Sequence, residues 1–127
     1  MGQIDVIMAG LDKFTEERMI ALGLEVTANL QEETPVDIGW ARAGWVPSVG
    51  KPYTGGADLD PDPGKVQIAL ARQAAGQSEL LAFTIDAGDV FCTNNVPYIE
   101  RLNEGHSTQA PAGFVQSAIV RAVRTVG

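Results

Sequence analysis

The sequence reaches Pro35 before it meets a proline, and this opening stretch constrains the fold more than any other part. Leu11, Phe14, Met19, Leu22, Val26 and Leu30 recur at steps of three to five residues, the spacing of an apolar stripe on a helix. Lys13, Glu16, Glu17, Arg18, Glu25 and Glu32 fall mostly off that stripe. The spacing predicts a helix from Ala9 to Glu33, ended by Pro35 because the residue before a proline avoids the helical region. At ~1.5 Å per residue such a helix is ~35 Å long. That is long for a chain of 127 residues, so the helix either projects or packs along a neighbour.

The length fits one domain, residues 1–127, and excludes separate cofactor and substrate lobes. Apolar residues make up 45% and aromatics 6%, which is enough for a core built from Ala, Val, Ile and Leu. Asp and Glu outnumber Lys and Arg by 16 to 9, a formal charge of -7. A nucleic-acid-binding module or an anionic-membrane anchor would carry a basic patch instead. Cys92 is the only cysteine, so no intrachain disulfide and no cysteine-based zinc site is expected. Met1 to Leu11 lacks a basic segment and does not read as a signal peptide. No stretch approaches the ~18 apolar residues of a membrane span.

After the helix, Pro35, Asp37 and Gly39 mark a turn, and the pattern from Trp40 suits a strand with Trp45, Val46 and Val49 buried. Residues 50–64, rich in Gly and Pro, read as a mobile loop. Lys65 to Gly76 predicts a short middle helix stopped by Gly76. Leu80 to Ile85 and Val90 to Thr93 look like strands joined through Asp86-Ala87-Gly88-Asp89 as a hairpin. Tyr98 to Asn103 fits one or two helical turns closed by Gly105. Gly113 to Val126 is an amphipathic helix with Val115, Ile119, Ala122 and Val126 toward the core. The fold class implied is α+β: a long N-terminal helix, a small antiparallel sheet, a short middle helix and a C-terminal amphipathic helix.

Candidate chemistry is sparse. Asp58, Asp60 and Asp62 are spaced like the start of a calcium loop, but Pro63 takes the turn-glycine position and Ala69 the position of the bidentate Glu. His106 is the only histidine, and a general base needs a partner that orients it. Asp86 with Asp89 suits a turn, and Glu100 with Glu104 an exposed helix face. Neither GxxxxGK[ST] nor GxGxxG occurs. These residues point to a binding or structural module with no catalytic residue, cofactor or metal; a small hydrolase using His106 is the reading from another class.

Two segments carry more than turn chemistry requires. One is Thr34-Pro35-Val36-Asp37-Ile38-Gly39 followed by Trp40, Ala41-Arg42 and Trp45. The other is Asn94-Asn95-Val96-Pro97-Tyr98 with Arg101-Leu102, Gly105, Ser107, Gln109-Ala110-Pro111, Gly113 and Phe114. In this order the pair resembles the neck or tail-completion proteins of long-tailed bacteriophages, the family that includes the lambda minor tail protein Z. The sequence departs from that pattern at Ile38, where the family has Thr, at Asn103, where it has Glu, and at His106, where an aromatic or small residue is common.

The resemblance implies a virion structural protein of the phage neck, assembled in the host cytoplasm. It would form a homo-oligomeric ring, commonly six-fold, between the head-closure or connector protein and the tail terminator or tail tube protein. Double-stranded DNA would pass through without sequence-specific binding, and an acidic wall would repel its phosphates. The alternative within the same particle is the tail terminator that caps the tube. The residues the resemblance marks for interfaces, or for the folds that support them, are Pro35, Asp37, Gly39, Trp40, Arg42, Trp45, Asn94, Asn95, Pro97, Tyr98, Arg101, Gly105, Gln109, Pro111 and Phe114.

Overall fold

The computed structural model describes residues 2–34, 44–55, 66–96, 99–105 and 112–127. Helix α1 spans Gln3–Glu33, strand β1 Trp45–Val49 and helix α2 Val66–Leu81. A 3-10 turn at Ile85–Ala87 leads into strand β2, Val90–Asn94. The short helix α3, Ile99–Asn103, precedes α4, Phe114–Val126. The α+β order with a long first helix, a small sheet and middle and C-terminal helices is therefore the one the pattern implies.

The sheet is two antiparallel strands, with Trp45 opposite Asn94 and Val49 opposite Val90. Two strands alone are marginal in water, and α2 completes them from the side. Gln73 Nε2 donates to the Trp45 carbonyl at 2.8 Å, and the Val49 N–H donates to Glu79 Oε1 at 3.2 Å. Trp45 and Val49 thus turn their backbone groups toward α2, and with period two Pro47 does the same. Its missing N–H faces the helix and costs β2 no ladder bond. The free edge that would otherwise invite another strand is capped by side chains.

This docking explains why α2 does not stop at Gly76. A Cβ at that position would lie 2.3 Å from the Pro47 carbonyl oxygen, so glycine serves close approach and the helix continues to bury Leu80 completely. The strand expected over Leu80 to Ile85 is accordingly absent. Ala82 and Phe83 donate to the Glu79 and Leu80 carbonyls in tight turns that end α2. The expected hairpin is also absent: β2 finds its partner in β1, far upstream.

α4 packs along the second half of α1 in antiparallel sense: Asn29 Nδ2 donates to the Ala118 carbonyl at 3.2 Å, and Arg18 Nη2 to that of Val126 at 3.0 Å. Leu30, Trp45 and Ala118 form the centre of the core, with Val26, Cys92, Ile99 and Val115 against it. The buried face of α4 is Phe114, Ala118 and Ala122, rotated from the expected face of Val115, Ile119, Ala122 and Val126. Alanines at successive turns let the two helices approach, which leaves Ile119 exposed and Val126 half-buried.

Gly76 and Gly10 make a matched pair, since a Cβ at Gly10 would meet nothing within 4 Å. Gly76→Ala is expected to destabilise by about 1–3 kcal/mol through overpacking. Gly10→Ala should instead stabilise by about 0.5–1 kcal/mol through helix propensity. Denaturant melts of the two variants check both signs.

Candidate functional site

Of the two segments singled out in the sequence, the described residues Trp45 and Asn94 meet at the sheet as register partners, and Gly44 lies against the Asn94 side chain. The Trp45 indole N–H donates to Thr34 Oγ1 at 2.8 Å, and the Thr34 hydroxyl donates to the Leu30 carbonyl at the end of α1. Asn94 Oδ1 accepts from the Val96 N–H at 3.0 Å, an Asx turn that takes the chain out of β2. Asn95 Nδ2 donates to the carbonyls of Tyr53 and Gly55, at 3.1 and 2.9 Å, and so ties the start of the Gly/Pro-rich loop to the end of β2. Phe114 is almost fully buried. Gly105 is exposed with φ +98, at the turn after α3.

Trp45, Asn94, Asn95 and Phe114 therefore serve the fold through internal bonds and packing, and Trp45 also borders an apolar space between α1 and β2. Pro35, Asp37, Gly39, Trp40, Arg42, Pro97, Tyr98, Gln109 and Pro111 lie outside the described residues, as do His106, Asp58, Asp60 and Asp62. Arg101 falls within α3, and its side chain is outside the described ones. Among the described residues no group of three or more His, Cys, Asp and Glu could hold a metal ion, and no helix is long and apolar enough to cross a membrane.

Asn103 is a working residue that sequence reasoning treated only as a departure from the family pattern. α4 starts on Gly113, in left-handed geometry with no capping side chain. Asn103 supplies the cap from another element. Its Oδ1 accepts from the Val115 N–H at 2.9 Å, its Nδ2 donates to Gln116 Oε1 at 3.0 Å, and its carbonyl accepts from the Gly113 N–H at 2.7 Å. The bare glycine before an amphipathic helix was the signal that a cap had to come from elsewhere.

The feature with most capacity for binding is apolar. Every residue from Gly2 to Thr15 is exposed, and the first half-buried one is Glu16. Ile4, Ile7 and Leu11 are 76%, 62% and 54% exposed. This arm extends ~20 Å beyond the body at ~1.5 Å per residue. Where the arm joins the body, Phe14, Arg18, Leu22, Val123 and Val126 line an open apolar space of about 310 Å³ between α1 and α4. A second space of about 260 Å³ adjoins it through Met19 and Leu22 and reaches Phe91, Cys92 and Ile119. Arg18 closes one end by donating to the Gly127 carbonyl oxygen as well as to Val126. Arg121 pairs with Glu33 at 2.6 Å and Glu32 at 3.4 Å, fixing α4 to the far end of α1.

Burial pushes the Cys92 thiol above its ordinary value of 9.0, and the hydrogen bond with Thr27 opposes this only in part. The unfolded chain then loses the thiol proton first, so this group's contribution to stability is complete below about 9.0 and is lost as pH rises above it. Wild type minus Cys92→Ser, compared in denaturant melts across that range, should show the decline, with no difference in slope at neutral pH. Asn103→Ala should cost about 1 kcal/mol of stability, the usual worth of a helix cap, and Asn103→Asp should recover most of it by keeping the acceptor. Urea titration of the three proteins measures this.

Comparison with protein-family models, with curated proteins and with solved structures finds no match for this chain.

Proposed function

We propose that this protein is a structural subunit of a tailed-phage virion. It joins the tail to the head as a neck or tail-completion protein, in a ring of like subunits around the DNA channel. The observation that carries the reading is the apolar surface left open by the fold: a helical arm with large aliphatic side chains, beside an apolar groove between α1 and α4. Soluble monomers rarely expose contiguous apolar patches beyond a few hundred Å², and larger ones mark interaction sites. A ring of like subunits needs two different complementary patches on each copy, and an arm with a groove meets that requirement.

The two sequence segments similar to the phage neck family support the reading from another direction. Their described residues Trp45 and Asn94 are partners across the sheet. The acidic balance of -7 suits a wall past which DNA must slide without adhering. The partners on this reading are a head-closure or connector protein on one side and the tail terminator or tail tube protein on the other. No step of the reading needs a catalytic group, a cofactor or a metal.

A phage deleted for this protein should accumulate DNA-filled heads and separate tails of normal length, seen by negative-stain microscopy of lysates. Over-long tails would favour the tail terminator instead. Complete, infectious particles would sink both.

A further inference from the structure

We infer that the N-terminal arm of one copy, centred on Ile4, Ile7 and Leu11, lies in the α1–α4 groove of the next copy. The inference deepens the ring reading and takes from it only that copies of this chain meet one another.

The occupant is a second copy because the arm and the groove are complementary yet cannot meet within one molecule. Both belong to the continuous helix α1, Gln3–Glu33. The groove wall is formed by Phe14, Arg18 and Leu22, and the arm points away from it along the same axis. Folding back would break the helix. Ile4, Ile7, Met8 and Leu11 follow the i, i+3, i+4, i+7 pattern of a helix face seeking a groove. All four are more than half exposed, with Phe14 beside them. Together they offer on the order of 500 Å² or more of surface, a large part of the ~800 Å² that each partner buries in a specific interface. The groove offers the matching walls, Val123 and Val126 from α4 and Met19 and Leu22 from α1, along two adjoining apolar spaces of about 310 and 260 Å³.

Charge agrees with shape. The arm up to Asp12 carries Asp5 and Asp12 and no cation, whereas α4 carries Arg121 and Arg124 and no acid. Asp5 and Asp12 are seven residues apart and share one flank of the apolar stripe. Arg121 is engaged with Glu33, and Arg124 is exposed on the turn that holds Val123. Of the cations, Arg18 is the one that lines the groove, where an acidic, apolar helix laid along it would bring Asp5 or Asp12 within reach of an opposite charge.

The test is mixed-variant cross-linking in a Cys92→Ser background. One protein carries Ile7→Cys in the arm and the other Val123→Cys in the groove; both positions are more than half exposed, and circular dichroism confirms that each variant folds. A short bis-maleimide should give heterodimers in the mixture in clear excess over either variant alone, and a ladder of higher species when one chain carries both changes. Adding Leu11→Glu should lower the yield about tenfold or more, because it places an unpaired charge against the groove. The same double variant introduced into phage should cross-link to itself within particles. Arm-to-arm products from Ile7→Cys alone, no mixture-specific product at any concentration, or cross-links only to a different virion protein would overturn the inference. Light scattering separates it from the ring reading. A closed dimer that still cross-links arm to groove keeps the inference and removes the ring, whereas rings without that cross-link keep the ring and remove the inference.

Discussion

The Trp45 indole N–H is buried and must find an acceptor inside the protein, at a cost of about 1–3 kcal/mol if it fails. It finds the Thr34 hydroxyl, which in turn donates its own hydrogen bond to the Leu30 carbonyl in the last turn of α1. On the backbone side of the same residue, Gln73 of α2 takes the carbonyl, and across the sheet Asn94 sets the register of β2. The ring packs between Leu30 and Ala118. One residue therefore fixes where α1 ends, how far α2 slides along the strand edge, which residues of β2 face the core and how deeply α4 sits. Each of these partners is polar where Trp45 is polar and apolar where it is apolar, which makes the arrangement specific as well as stable.

That arrangement uses only the second half of α1. α4 has 13 residues and covers ~20 Å of helix, against ~46 Å for the 31 residues of α1. The contact is made tight by small side chains, Ala118 and Ala122 following the anchor Phe114 one and two turns along, so the bulkier aliphatics of α4 are turned outward. Ile119 and Val123 become groove wall instead of core. The same choice that brings the two helices close thus generates the apolar surface next to the arm.

Much of this architecture was legible in the sequence. The three-to-five-residue recurrence up to Leu30 and the proline at position 35 gave the C-terminal limit of α1, because periodicity and a helix breaker agree there. Trp45, Val46 and the run from Val90 were readable as strands, and Phe114 onward as a helix. What could not be read depended on contacts far away in sequence. Gly76 looks like a stop signal locally, yet it is a contact surface for the Pro47 carbonyl. Leu80 to Ile85 has strand-like composition, but burial of Leu80 and Phe83 under tight turns decides otherwise. The cap of α4 comes from Asn103, across a loop, and no local pattern contains it. Of the segments marked by family resemblance, Trp45, Asn94, Asn95 and Phe114 are accounted for by internal bonds and packing, while the exposed stripe from Ile4 to Leu11 belongs to no motif.

The arm and the core are coupled through the helix itself. A separate helix of about a dozen residues would be marginal in water because its first turn must be nucleated. Here the packed half of α1 supplies the nucleus, and the arm has only to propagate from it. Gly10 weakens that propagation locally. The direction in which the arm offers its apolar face is set elsewhere. A helix carries azimuth faithfully along its axis at ~100° per residue, so Ile4 and Leu11 point wherever Leu22 and Val26 are held. Those residues are held by the contact of Leu30 with Trp45 and Ala118. Repacking at the Trp45 site would therefore rotate the arm's apolar face, with no substitution in the arm itself.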